Sequence, residues 1–219
     1  MKKLLVLALA TATLALGGPV WAAGPPYTVS VGGSSAAASH PVTGSSTGLL
    51  RFTIKNNAGT TLPLTCTSVS VTGSVTSGVG VNPWASVTSS TWSGCIFIGG
   101  AYSVTQATAW PLVGTGTNAT PSVETIAGRA DNVDLAVASA ANPAICSFRI
   151  RGTTSTSAGS FIGAFDESTQ TWSVSPTGFT APLRTWNVSG CLGQVQNGNP
   201  VDLAATLPLA SPNGAVNLS

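Results

Sequence analysis

The side chains best suited to chemistry are scarce in this chain, which holds one histidine and six carboxylates among 219 residues. A catalytic triad needs a histidine beside its nucleophile, and His40 stands before Pro41 in a Gly- and Ser-rich stretch. Zinc sites need clustered Cys and His ligands, and the four cysteines lie far apart. The sequence therefore predicts no enzyme activity, no metal and no cofactor.

Paired carboxylates are the remaining catalytic alternative, because glycoside hydrolysis needs only two acids at a suitable separation. Asp166 and Glu167 are adjacent, between two strand-like runs, where acidic residues typically solvate a hairpin turn. Asp131 and Asp134 lack the density of oxygen ligands that calcium loops have. We expect a turn at residues 166–167 and no calcium site.

The tryptophans are the more informative class. Trp92 and Trp186 each precede a Ser-Gly-Cys, and an indole packed on a disulfide is a usual core arrangement in β-sandwiches. Trp84 and Trp110 stand beside prolines, near the expected ends of strands, where an exposed indole stacks on sugars or contacts apolar ligands. Trp84 and Trp110 are thus the candidate ligand-binding residues, with burial of both as the competing prediction.

The first 22 residues have the pattern of a secretory signal peptide. A basic head is followed by an apolar run over 4–16 and by Val20-Trp21-Ala22, which predicts cleavage after Ala22. The run is too short to span a bilayer. Cleavage leaves six basic and six acidic residues, too few cations for nucleic-acid binding. We expect a secreted or cell-surface protein with no transmembrane anchor after cleavage.

The four cysteines predict two disulfides in an exported chain. Loop entropy does not choose among the three pairings, because closing each of the possible loops stabilises the fold by a similar free energy. Local sequence does choose, because two motifs occur twice in the same order. The first is a strand-like run that contains a cysteine, and the second is a Ser-Gly-Cys preceded by Thr-Trp. We predict Cys66 bonded to Cys95 and Cys146 bonded to Cys191, one bridge in each half.

Short runs of Val, Ile, Thr and Phe alternate with Gly, Pro, Asn and Ser from Leu49 onward, which is typical of all-β folds. Residues 131–141 have apolar side chains at every second position and predict one strand. Roughly ten antiparallel strands indicate a β-sandwich or flattened barrel with two intra-half disulfides. Residues 23–48 form an arm with an edge strand, and 49–219 form a single domain with halves at about 49–115 and 116–219.

Threonine and serine fill the outward positions of these strands, where most soluble proteins place Lys and Glu to keep strand edges from pairing with other molecules. In the predicted strand from Cys146, Arg149 and Arg151 point outward, as solvated charges typically do. Weakly charged, Thr-rich faces favour self-association or contact with an apolar or polysaccharide surface.

Several short sequence motifs occur in an order that resembles a group of small secreted two-disulfide bacterial β proteins of unassigned function. They are Tyr-Thr-Val-Ser-Val-Gly-Gly, Leu-Thr-Cys-Thr-Ser, Thr-Trp-Ser-Gly-Cys, Ala-Trp-Pro-Leu, Ile-Cys-Ser-Phe, Thr-Trp-Asn-Val-Ser-Gly-Cys-Leu-Gly and Asn-Gly-Asn-Pro. More distantly, the cysteine spacing and Thr-rich strands look like the exported activators of alkane oxidation. That second resemblance implies an extracellular helper of hydrocarbon uptake, and neither resemblance implies a catalytic residue.

The leading hypothesis is an exported, non-enzymatic β protein acting at the cell surface or in the extracellular matrix, which assists contact with apolar substrates such as alkanes. The alternatives are a carbohydrate-binding module that uses Trp84 or Trp110, a carboxylate hydrolase, and a fimbrial-type subunit that polymerises by donating residues 23–48 to a neighbour's sheet edge.

Overall fold

The structure, a computed structural model, describes residues 24–46, 48–117 and 124–219, and the predicted signal peptide at 1–22 lies outside these ranges. The described residues form seventeen strands and one short 3-10 turn at Cys191–Gly193. The strands are β1 (Tyr27–Val31), β2 (Ala38–Ser45), β3 (Leu50–Lys55), β4 (Thr61–Cys66), β5 (Ser68–Val81), β6 (Ala85–Ser93), β7 (Cys95–Phe97), β8 (Gly100–Gln106), β9 (Trp110–Gly114), β10 (Thr125–Val133), β11 (Leu135–Ser139), β12 (Cys146–Arg151), β13 (Gly159–Asp166), β14 (Thr171–Val174), β15 (Arg184–Gly190), β16 (Val201–Ala210) and β17 (Val216–Leu218).

Eight strands close into an antiparallel ring in the order β5, β6, β9, β10, β13, β14, β16, β2 and back to β5. From the first half of β16 a second series runs through β3, β4, β7, β8, β11 and β12 to β15. Strands β1 and β17 pair with each other, and β1 also pairs with the far end of β5. The predicted all-β antiparallel fold is confirmed.

Alternation along the strands decides which side chains enter the core. In β3, Leu50, Phe52 and Ile54 are buried while Arg51 is exposed. Successive side chains of a strand point to opposite faces, so a period of two separates core from solvent. Strands from the two predicted halves pair directly, β8 with β11, β9 with β10 and β3 with β16, and one continuous apolar core serves both.

Both disulfides form as predicted and each lies within one half of the chain. Cys66 ends β4 and Cys95 begins β7, and the register of these strands places the two residues opposite each other with their Cα atoms 3.9 Å apart. Cys146 begins β12 and is bonded to Cys191, with a Cα separation of 4.2 Å. All four cysteines are buried.

Prolines occur within four strands, which sequence rules disfavour because proline cannot donate to a ladder. Pro41, Pro63, Pro111 and Pro208 each pair with a residue of one neighbouring strand. In every case the pairing with the neighbouring strand on the opposite side begins one or two residues after the proline. Each proline therefore stands where only one neighbour is present, so its missing N–H is not required.

Two segments differ from the sequence-based expectation. Residues 131–141, expected as one strand, divide at Asp134, because Asn132 adopts a positive φ of 62° and the chain turns there from β10 into β11. The stretch 23–48, expected as an arm with an edge strand, contains β1, which lies between β17 and β5, and β2, which pairs with β5 along its length and with β16 at one end. The described part of this stretch is built into the sheet.

Candidate functional site

The two tryptophans singled out as ligand-binding candidates are both buried. Trp84 is 1% exposed, and its ring lies 4.8 Å from that of Phe165 and 6.3 Å from that of Trp172, measured between centroids. Trp110 is 5% exposed and meets Phe161 edge to face. Neither indole has an exposed face on which a sugar ring could stack. If the protein stacks on a sugar, another residue must provide the ring.

Trp92 and Trp186, which the sequence placed in the core, are both partly exposed, although Trp92 packs against the core as predicted. Trp92 packs on Phe52 and donates from Nε1 to Ser90. Trp186 lies on β15 and donates from Nε1 to the carbonyl of Gly152 at 2.9 Å. Proximity to a cysteine in sequence therefore did not decide burial, because Trp186 alternates with the buried Thr185 and faces outward.

An apolar cavity lies inside the fold. Phe52, Trp92, Trp110, Leu135 and Trp172 are among the side chains that line it, and its volume is about 40 Å³. An engineered apolar cavity that binds benzene measures about 150 Å³. This space is thus a packing gap between the layers and is too small for a hydrocarbon chain.

Glu167, considered above for catalysis, and Asp202 both bind the protein's own backbone. Glu167 is 3% exposed and accepts the N–H of Leu218, and Gln170 holds both polar backbone atoms of Val216, so these two side chains cover the outer edge of β17. Asp202 is also buried and accepts the N–H groups of a turn at residues 177–179. Covering an edge prevents pairing with another chain.

Asp166 ends β13, directly before the hairpin turn predicted for this stretch, and its carboxylate accepts hydrogen bonds from that turn. The hydroxyl of Ser168 and the N–H of Thr169 donate to Oδ1 at 2.7 and 2.9 Å, and these bonds hold the pKa of Asp166 below its usual range. A depressed pKa means that Asp166 stabilises the fold above its unfolded-state pKa and loses that contribution as pH falls through its folded-state pKa.

We expect Ser168→Ala to raise the pKa of Asp166, because Ser168 provides the largest of the effects that lower it. Titration of the Asp166 carboxyl carbon by NMR measures the change. Ser211→Ala, in a different turn, is the control and should leave the Asp166 titration in place. An unchanged pKa in Ser168→Ala would contradict the hydrogen-bonded turn.

The outward side of the series β4, β7, β8, β11, β12 and β15, here called the outer face, carries an ordered set of side chains. At the disulfide end, Ile96 pairs with Ala101, whose carbonyl accepts the N–H of Ala140. Ile145 follows across the turn, and its carbonyl accepts the N–H of Cys191, which precedes Leu192. We call Ile96, Ala101, Ala140, Ile145 and Leu192 the apolar row, and all five are exposed.

The apolar row contains unusually exposed aliphatic side chains. Ile96 is 48% exposed, Ile145 53% and Leu192 85%. Ile96 also lines, with Leu62, Pro63 and Ile98, an open groove of about 300 Å³. Contiguous exposed apolar surface in a soluble protein marks a contact site more often than scattered single residues do.

The opposite end of the outer face is cationic. Register places Arg149 opposite Trp186 and Arg151 opposite Arg184, with all four side chains outward. Asp134 is salt-bridged to Arg149 at 2.7 Å and to Arg151 at 2.6 Å. We call Arg149, Arg151, Arg184 and Trp186 the arginine cluster. Three positive charges and the carboxylate of Asp134, which bridges Arg149 and Arg151, sum to a local charge of +2.

Hydroxyl groups separate the two ends. Between the apolar row and the arginine cluster runs a row of small side chains, Ser103, Ala138, Ser147 and Ser189, paired in that order across four strands. Arg149 lies four residues after Ile145, which immediately precedes β12, and this separation is about 13 Å at 3.3 Å per residue. The outer face is thus apolar at one end, hydroxylated in the middle and cationic at the other.

Within the described ranges, no three or more His, Cys, Asp or Glu side chains are grouped so as to hold a metal ion. None of the helical segments there has the length and apolar character needed to cross a bilayer. Comparisons of the chain with protein families, with curated proteins and with solved structures found no match.

Proposed function

We propose that this is an exported, non-enzymatic β protein that acts at the cell surface or in the extracellular matrix by contact with an apolar surface, such as hydrocarbon. The observation that carries the proposal is the apolar row, in which Ile96, Ala101, Ala140 and Ile145 follow one another across the outer face and the exposed Leu192 comes directly after Cys191, which is hydrogen-bonded to Ile145. The two disulfides are compatible with an oxidising compartment outside the cytoplasm.

The row suits a surface more than a small ligand. It runs from Ile96 on β7 through Ala101 on β8 to Ala140 and Ile145, which follow β11 and precede β12, and at about 4.8 Å per strand spacing this gives a strip of about 15 Å before Leu192 is added. The cavity inside the fold is far smaller than a hydrocarbon chain. Apolar contact through an exposed strip therefore fits the structure better than enclosure of a molecule.

The energetics are sufficient for adsorption. Fully burying an exposed Leu or Ile side chain is worth about 1.5–3 kcal/mol, so the exposed parts of Ile96, Ile145 and Leu192 together supply several-fold enrichment at an apolar surface. Little charge has to be desolvated, because the flanking row consists of serine and alanine. The structural use of Glu167 and Asp202 as backbone acceptors supports a role without acid catalysis.

Partition of the purified protein onto hexadecane droplets tests the proposal. We expect Ile145→Ser with Leu192→Ser to lower the bound fraction at least fivefold, because the pair contributes most of the exposed aliphatic area of the row. The matched control is Val79→Ser with Ile162→Ser, since these side chains are 81% and 53% exposed but lie away from the row. Equal partition of the two double variants would overturn the proposal.

A further inference from the structure

The arginine cluster is a second functional feature, distinct from the apolar row. Outside the predicted signal peptide the chain has six basic residues, and three of them stand together on β12 and β15. Solvated charges need no such grouping, and like charges placed opposite each other on adjacent strands are unfavourable. Arg151 and Arg184 stand opposite each other in the register, and Asp134 offsets one charge of the three arginines, which leaves an excess of positive charge that a bound anion would neutralise.

The arginines are held in place yet remain accessible. Asp134 is 5% exposed at its side chain and fixes Arg149 and Arg151 from beneath, while those arginine side chains are 31% and 22% exposed. Arg184 donates from Nη1 to the carbonyls of Ala181 and Leu183. Among the described residues, Asp134 is the one carboxylate in salt bridges with these arginines. Arg151 also donates from Nη1 to the carbonyl of Ser155 and its Nε is buried, so Arg149 is the more accessible of these two side chains.

Trp186 adds a planar apolar group to the same site. It stands directly opposite Arg149, at the distance of a cross-strand pair, and its Nε1 is fixed on the carbonyl of Gly152 next to Arg151. A partly exposed indole that is fixed by its polar edge can pack against a flat partner. Guanidinium groups bind carboxylates through two parallel hydrogen bonds.

We propose that the arginine cluster binds a carboxylated saccharide, with Arg149, Arg151 and Arg184 receiving the carboxylates and Trp186 packing against a sugar ring. The row of small side chains next to the cluster, which includes Ser147 and Ser189, supplies hydroxyls that hydrogen-bond to the sugar's own hydroxyl groups. A lipid surface fits less well, because the exposed aliphatic side chains stand about 13 Å from Arg149 rather than beside it. Three cations are too few for a nucleic acid.

The test measures binding of the intact oxidised protein to polygalacturonate, with dextran as the neutral polymer and phosphatidylglycerol vesicles as the anionic lipid. We expect binding to polygalacturonate alone, weakened by added salt. Arg184→Gln and Trp186→Ala should each reduce affinity about tenfold, the effect of one charge-assisted hydrogen bond or one stacked ring. Arg51→Gln, which removes the same charge from β3, should leave affinity within twofold.

Conservative variants separate a specific site from charge alone. Arg149→Lys keeps the charge but loses the planar pair of donors, so we expect it to weaken binding several-fold at low salt. Equal affinity for Arg184→Gln and Arg51→Gln, equal binding of dextran, or vesicle binding as strong as polygalacturonate binding would each overturn the proposal. These readouts are independent of hexadecane partition, so either proposal fails without the other.

Discussion

Replacing Cys146 and Cys191 together with alanine lowers the free energy of unfolding by about 4 kcal/mol, because the cross-link no longer restricts the unfolded chain. The bond spans a sequence separation of 45 residues, and the Cys66–Cys95 bond spans 29. Loop entropy grows only with the logarithm of length, so the Cys66→Ala and Cys95→Ala pair should lose about 3.5 kcal/mol, nearly as much.

Urea unfolding followed by tryptophan fluorescence measures both losses. The unsubstituted chain unfolded in reductant is the control, since it keeps every side chain and loses only the two bonds, and it should be destabilised by at least as much as either variant. A larger denaturant slope in the variants would match a more expanded unfolded chain. An alanine pair that unfolds at the same urea concentration as the parent would contradict the stabilisation expected from the bonds.

The strands and the bridges were predictable from sequence because both depend on local patterns. The alternation in Leu50, Phe52 and Ile54 places the same three side chains in the core of β3. The repeated motifs around the cysteines predicted both disulfide pairings correctly. The sequence predicted roughly ten strands, fewer than the described residues contain. The harmless position of Pro63 or Pro111 inside a strand depends on where a neighbouring ladder stops, which is a property of the assembled sheet.

The candidate site was much less predictable. The outward direction of Arg149 and Arg151 follows from alternation in β12, but the residues opposite them are set by the register with β15. That register shifts between Ser147 and Arg149, which brings Trp186 rather than a later residue opposite Arg149. Neither the partner strand nor the shift is visible in the sequence, so a pair of apparently solvated charges gave no indication of a third arginine and an indole.

Trp84→Ala is expected to destabilise the fold by about 3–5 kcal/mol, the usual loss on truncating a fully buried aromatic side chain. The indole lies in the connection between β5 and β6, is 1% exposed, and packs on Phe165 of β13 and Trp172 of β14. Its removal leaves a cavity beside two aromatic side chains that their own strands hold in place. Thermal or urea unfolding of the purified variant measures the loss.

Trp186→Ala is the matched control, because it deletes the same side chain from the outer face, where it is partly exposed, and should cost only about 1–2 kcal/mol. The two variants should therefore show opposite phenotypes. Trp84→Ala loses stability and, in the molecules that remain folded, retains binding to polygalacturonate, whereas Trp186→Ala keeps most of its stability and loses that binding. Equal destabilisation by both substitutions would mean that burial does not distinguish the two indoles, and it would remove the basis for assigning ligand contact to Trp186 instead of Trp84.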